Sequence, residues 1–289
     1  MNRAFIFAWV TLAGAGLLSA RQPVMDMVPR WAGGWGFQYF HEFRMAEDLF
    51  SGASEVANPD GLRKEIRTSW LEGVYTFDRA RRITFKMPYL DQERVALVGG
   101  TPVTQRGHGL GDIVVATPLK RYTNLPGLTY NFGVTPQLRL PTGKTTADYP
   151  VGDGSWDPGL SVSFSSESAR WYHLYDLTYW KNTRGSAGMR KGDELMFDIN
   201  IGRAFPFQER HSSVFVMLDV QSRWMDRDRT STSSGGESVS VGPMLMYVKL
   251  YDWGTMAVRA EYRLPVYERW NGTQTGNEQR FALGIGFAF

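Results

Sequence analysis

From Leu128 to Leu140 the chain alternates. Leu128, Tyr130, Phe132, Val134, Leu138 and Leu140 fall on one side, and Thr129, Asn131, Gly133, Thr135, Gln137 and Arg139 on the other. Strand side chains point to opposite faces with a period of two, so this is a strand with one apolar and one polar face. The same rhythm predicts twelve strands, near 33–44, 65–78, 82–89, 111–122, 128–141, 158–166, 170–182, 193–205, 213–226, 237–250, 254–267 and 278–289. Pro88 cuts the third one short, since proline cannot donate to a strand ladder. No helical periodicity of comparable strength is present. The connections alternate too, from short ones such as "DRAR" (78–81) and "YDWG" (251–254) to long ones such as 90–111 and 142–157.

A soluble sandwich and a membrane barrel both give such strands, but four further features favour the barrel. The strands are long enough to cross a bilayer at a tilt. Their number is even, and short turns alternate with long loops. Aromatics gather toward strand ends, among them Trp35, Phe37, Tyr75, Phe77, Tyr122, Tyr130, Trp171, Tyr172, Tyr179, Trp180, Trp224, Tyr247, Trp253 and Trp270, as in the two interfacial girdles of such barrels. The chain ends in "FALGIGFAF", where Phe281, Leu283, Ile285, Phe287 and Phe289 alternate with Ala and Gly. That strand suits lipid on one side and a crowded interior on the other, and it must pair with the first strand to leave no open edge.

Composition narrows the picture. The chain has 289 residues, no Cys and a net charge of only +3. No strong basic field argues for nucleic acid, and thiolate chemistry and disulfides are excluded. The mean hydropathy of −0.31 resembles that of a soluble protein, as expected when only alternate residues are apolar. Residues 1–20 have a charged start, an apolar run and a small-residue exit, the form of a secretory signal peptide. The expectation is therefore an all-β protein: residues 21–289 form a single antiparallel transmembrane β-barrel of about twelve strands in a bacterial outer membrane, both termini periplasmic.

The stretches "GLGDIVVATPLKRY" (Gly109 to Tyr122), "TPQLRLPTGK" (Thr135 to Lys144) and "GDGSWDPGLSVSFSSE" (Gly152 to Glu167) resemble the outer-membrane barrel family named for the meta-pathway of phenol degradation. The G-x-G-D strand opening, the L-P-T-G strand exit and the Gly-rich return stand in the family's order. The resemblance implies a transporter of small hydrophobic or aromatic compounds and brings no catalytic residue. The C-terminal strand likewise resembles the signal read by the barrel assembly machinery, which makes that machinery, through Phe289, an expected partner beside outer-membrane lipid and lipopolysaccharide.

Enzymatic signals are weak. "GHGLGD" (107–112) is followed by a strand instead of a helix, and "PTGK" (141–144) lacks the rest of a phosphate loop. His41, His108, His173 and His211 are spread along the chain, so no metal site, cofactor or enzyme activity is expected. Charge on the polar faces is tolerated only inside a barrel. The candidate pore-lining residues are Arg139, Asp176, Asp198, Asp219, Arg223, Arg259, Glu261, Arg263 and Arg280. Strands seven to nine present a mainly acidic wall and strands eleven and twelve a mainly basic one, with Glu261 between its arginines, and the two walls are expected to oppose each other across the lumen. Two segments could block that lumen: 21–34, and the 90–111 connection with its apolar Val95 to Gly100. The expected function is passive passage of small, hydrophobic or aromatic solutes. The alternative is a plugged structural barrel, a sheath or anchor for partner proteins.

Because Phe289 ends the closing strand, its deletion should lower the amount of heat-modifiable, folded protein in outer-membrane fractions. An unchanged yield would count against that role.

Overall fold

The structure, a computed structural model, describes residues 31–146, 148–186, 190–207, 211–229, 231 and 233–289. The signal segment 1–20 and most of the proposed N-terminal plug lie outside the described residues. Twelve strands close into one antiparallel barrel. They are β1 (Gly34–Ala46), β2 (Arg63–Thr76), β3 (Arg82–Val98), β4 in three pieces (Thr101–Leu110, Val114–Ala116, Leu119–Leu125), β5 (Leu128–Arg139), β6 (Asp157–Ser168), β7 (Trp171–Trp180), β8 (Glu194–Phe207), β9 (Ser212–Met225), β10 (Gly236–Tyr251), β11 (Gly254–Trp270) and β12 (Gln279–Ala288). Each pairs with its neighbours in sequence. β12 pairs with β1 from Gly36↔Ala288 to Met45↔Gln279, and Trp35 and Phe289 exchange backbone hydrogen bonds of 2.7 and 2.8 Å. No sheet edge is left at the closure, as hydrocarbon requires. Three short strands, Asp48–Ser51, Ser54–Val56 and Thr273–Gly276, form a separate sheet in the loops at the far end.

Burial alternates along the strands. In β12, Phe281 and Leu283 are 45% and 49% exposed, while Ala282 between them is fully buried. Tyr39, Leu71, Phe132, Leu160, Leu218, Leu245 and Val258 are likewise turned outward. An apolar girdle of this extent is a liability in water and an asset in lipid. Among the aromatics assigned to the girdle from sequence, Trp180 and Tyr172 are buried inward, and Tyr122, paired with the buried Asn131 and bonded by the buried Arg82, faces inward too. Trp171 and Tyr179 already occupy the outward phase, and adjacent strand residues cannot share a face.

The 90–111 connection is not a loop. β3 runs to Val98 and turns at Gly99–Gly100, both with positive φ (60° and 86°), as a tight two-residue hairpin requires. Tyr89–Val98 then pairs with Thr101–Leu110. Pro88 is accommodated because β4 bulges opposite it: Gly111–Ile113 carries one residue more than the facing stretch of β3, and Gly111 N–H donates to Pro88 O at 2.9 Å. The Val95–Gly100 stretch thus ends as a projecting hairpin tip, with Val98 exposed, and does not fold into the lumen.

The 140–156 connection does. Tyr149 and Val151 are buried, and Val151 packs with Phe40, Ile66, Trp70, Leu90 and Ala282 inside the barrel. Gln92 Nε2 donates to the carbonyls of Tyr149 (3.1 Å) and Pro150 (2.8 Å). The Arg94 guanidinium lies 4.5 Å over the Tyr149 ring. Lys144 N–H bonds to Leu110 O, and Lys144 O accepts from Val151 and Gly152, so the segment continues the edge of β4 where β5 has ended. Burying Val151 alone is worth about 1.5–3 kcal/mol of transfer free energy.

A Cβ at Gly107 would sit 1.7 Å from Tyr149 O, so Gly107→Val should expel this plug while leaving the barrel closed. Trypsin should then cut after Lys144 at least tenfold faster than in the wild type, as read by mass spectrometry; equal rates would show that Tyr149 O and Gly107 do not hold the loop.

Candidate functional site

The three family-like motifs meet at the root of the plug. Gly111 and Asp112 lie in the bulge of β4, and Asp112 Oδ1 accepts the Gly143 N–H at 2.8 Å. Gly143 and Gly152 pack so closely that a Cβ on Gly143 would lie 2.7 Å from Gly152 Cα. Asp153 Oδ1 accepts from Ser155 Oγ (2.6 Å), and its Oδ2 meets Lys191 Nζ at 2.8 Å. Burial pushes the Asp153 carboxyl up, but Lys191 and the Ser155 hydrogen bonds outweigh it and hold it well below the usual carboxylate range. Burial pushes the Tyr149 phenol up to about 12, so it remains neutral. The glycines that look like strand openers are therefore close-approach points that fasten the plug.

Of the nine charged residues expected to line the lumen, eight are buried, and Arg223 is partly so. All nine are on inward-facing strand positions, but not as two opposed walls. Asp219 on β9 meets Arg263 on β11 at 3.1 Å. The residue between them on β10, paired with Asp219, is Gly242, and a side chain there would collide with the β11 backbone. Glycine lets acid and base touch across an intervening strand. Arg263 also reaches Glu261 (3.3 Å), as does Arg280 (3.6 Å), and Arg259 lies 3.9 Å from Glu261 while stacking 4.4 Å over Phe40. Arg280 pairs with Glu42 on β1, and Glu42 with Arg44 at 2.9 Å.

A second network lies on the other side. Arg139 Nη1 donates to Asp157 (3.3 Å) and Asn182 (3.2 Å), and its guanidinium stacks 4.5 Å over Trp180. Asn182 Nδ2 donates to Glu194 (3.3 Å), which also accepts from Arg223 (2.9 Å). Asp176 accepts from Ser161 and Thr178, and Asp198 from Gln221. Buried charges need such partners to offset desolvation. Sequence reasoning missed Glu42, Arg44, Lys64, Glu194 and Glu278. The first four share the inward phase of the apolar alternation in their strands, which was the available signal. Glu278, the first residue of the last strand as read from sequence, shares that phase with Arg280, although strand pairing begins only at Gln279.

The rest of the lumen face mixes polar side chains, such as Gln38, Thr68, Thr84, Lys86, Asn131, Thr135, Ser163 and Asn200, with apolar patches. Toward the turn end, Met217, Met244, Met246, Val248, Ala257 and Tyr172 form one cluster. Toward the loop end lies the Phe40–Trp70–Val151 cluster, and beside it Val114, Trp180 and Met196. Between strands β8–β12 and β1 a cavity of about 30 Å³ remains. On the outer wall His41 Nδ1 meets Ser69 Oγ at 3.0 Å, and Tyr39 shares that hydroxyl at 3.1 Å. The ladders of β1 and β2 engage the nearby amides, leaving no backbone donor among the described residues to hold an oxyanion beside this pair.

Closure, the outward apolar girdle and the charged interior define a transmembrane β-barrel of the Gram-negative outer-membrane type. Within that class the chain belongs to the family described as "Putative MetA-pathway of phenol degradation", whose model matches residues 66–249. It has the fold of the COG4313 outer membrane channel from Pseudomonas putida F1, with a TM-score of 0.69 and 14% identity over 93% of this chain and 100% of that one. The β-domain of the Bordetella autotransporter Brka aligns less well, with a TM-score of 0.45 and 13% identity over 89% and 100%. No curated protein matches the sequence.

The loop residue Glu278 gives the network a pH dependence. Burial pushes its carboxyl up, but Arg44, Lys64, Arg223 and Arg280 outweigh it and lower it to about 2 from 4.5. A depressed pKa stabilises the fold above the unfolded value, and that contribution is lost as pH falls through the folded one. The urea midpoint should therefore drop between pH 4.5 and 2, and Glu278→Gln should flatten that drop. An equally steep profile in the variant would remove Glu278 from the cause.

Proposed function

We propose that the chain is exported by its leader and inserted through its C-terminal strand with both termini in the periplasm. There it gives small solutes of hydrophobic or aromatic character a passive path across the outer membrane. The observation that carries this reading is the pair of apolar clusters on either side of the buried ion pairs. A water-filled barrel is polar inside, whereas here methionines and aromatics occupy inward positions. Methionine side chains adapt to varied apolar shapes. The nine charged residues named from sequence would then border the path.

The filled outer end favours a second reading, a plugged barrel serving as sheath or anchor. A lumen cavity of about 30 Å³ has room for about two waters, at 10–15 Å³ each. Passage therefore needs the 140–156 plug to move.

In planar bilayers the wild type should show small or rare openings, and Gly107→Val should raise the mean conductance severalfold. Complete silence of both folded proteins would sink the passage reading in favour of the plugged barrel.

A further inference from the structure

The outward-facing cations differ between the two ends of the barrel. Toward the loop end, Arg63 and Arg106 share Glu93 (3.3 and 2.7 Å), Arg67 meets Glu65 at 2.6 Å and Arg269 meets Glu237 at 3.9 Å. At the turn end Arg81 has Asp78 at 2.6 Å, but Arg121, Arg170, Arg203 and Lys249 have no carboxylate partner among the described residues. Two of these four lie side by side. Trp171 on β7 pairs with Arg203 on β8, and Ala204 N–H donates to Arg170 O at 2.7 Å, so the turn into β7 sets Arg170 next to Arg203. The Arg203 guanidinium lies 5.3 Å from the Phe205 ring centroid and 5.9 Å from that of Trp171. Both rings are exposed on the outward face, and Val216, paired with Arg203, and Leu218 continue an apolar wall from there toward mid-membrane. An arginine on the lipid face is tolerated near an interface and costly at the bilayer centre, which sets this pair at the level of a headgroup layer.

We propose that Arg170 and Arg203 dock the phosphate of an anionic phospholipid, whose acyl chains run along Val216 and Leu218. Guanidinium forks match phosphate oxygens with paired hydrogen bonds. Basic residues at a membrane surface attract anionic headgroups, and the flanking aromatic rings hold the interfacial level. The missing carboxylate decides the lipid class. The ammonium of a zwitterionic headgroup would find no counter-ion among the described residues here, so an uncharged glycerol beyond the phosphate is favoured over ethanolamine. An acidic peptide from the aqueous side fits less well, because the wall beside the two arginines lies in hydrocarbon. The proposed orientation makes this the periplasmic leaflet; the headgroup chemistry does not depend on that reading.

The test gives the full-length protein in detergent micelles an equimolar mixture of phosphatidylglycerol and phosphatidylethanolamine and counts the retained lipids by native mass spectrometry. The wild type should keep at least about fivefold more phosphatidylglycerol. Arg170→Gln with Arg203→Gln should abolish that preference in protein that still migrates heat-modifiably, and Arg269→Gln, at the loop end, should leave it intact. Equal retention of the two lipids by the wild type overturns the proposal whether or not the variants fold, as does an unchanged preference in the folded double variant. Loss of preference in Arg269→Gln as well would reveal a general charge effect and overturn the site. Displacement of phosphatidylglycerol by an equal concentration of glycerol phosphate would overturn the lipid as the occupant. Conductance enters none of these readouts, so a silent barrel overturns passage and leaves the site standing.

Discussion

The ladder between β1 and β12 is the interaction on which everything else rests. Ten residue pairs, from Gly36↔Ala288 to Met45↔Gln279, turn an open sheet into a cylinder. In hydrocarbon an unpaired backbone group has no water to turn to, so a missing ladder could not be repaired locally. Closure also divides side chains into two environments, and alternate residues must meet opposite demands. Phe281 and Leu283 dissolve in lipid, while Ala282 and Gly284 give way to Phe40 and Gln38 from β1.

Twelve strands enclose too little space for a water-filled pore once large side chains point inward. The interior is therefore solved as a core. Most of the charges named above sit in two networks where arginines meet carboxylates, Lys86 meets Glu72 at 3.6 Å, and Arg82 and Lys120 are held by the Tyr122 and Ser163 hydroxyls, because the low-dielectric interior penalises unpaired ions. Gly242 shows how local this solution is: without a side chain on β10, Asp219 reaches past it to Arg263. The mutual pairing cancels most of the field that two separate walls would have set up. Even where four arginines converge on a small cavity, each meets a carboxylate.

The plug is the second structural decision. It is anchored at Asp112, Gly143, Gly152 and Asp153, bonded along the free edge of β4, and buried through Tyr149 and Val151. Side chains of Asp112, Asp153 and Gln92 fasten it, and the close backbone approach of Gly143 to Gly152 and of Gly107 to Tyr149 O accounts for the glycines. A segment held by a few hydrogen bonds at its root and apolar contacts at its tip can open as a unit more readily than the ladders can.

Much of this was legible in the chain itself. Alternation set the all-β class, the strand number and the inward phase of Arg139, Asp176, Asp198, Asp219, Arg259, Glu261, Arg263 and Arg280, because a period of two assigns every residue a face, while strand length, the rhythm of turns and loops and the placing of aromatics were needed to choose a barrel over a sandwich. The apolar closing strand set the need for closure. Pairing between those faces was beyond its reach. Which carboxylate meets which guanidinium depends on register, on the bulge opposite Pro88 and on a missing side chain at Gly242, none of which leaves a periodic trace. The same holds for the plug. Val95 to Gly100 and Tyr149 to Val151 both put apolar residues in apparent loops, and composition cannot tell a hairpin tip from a lumen anchor. Tertiary structure decided it: strand pairing claimed the first segment for β3 and β4, and only the second met an apolar surface inside the barrel.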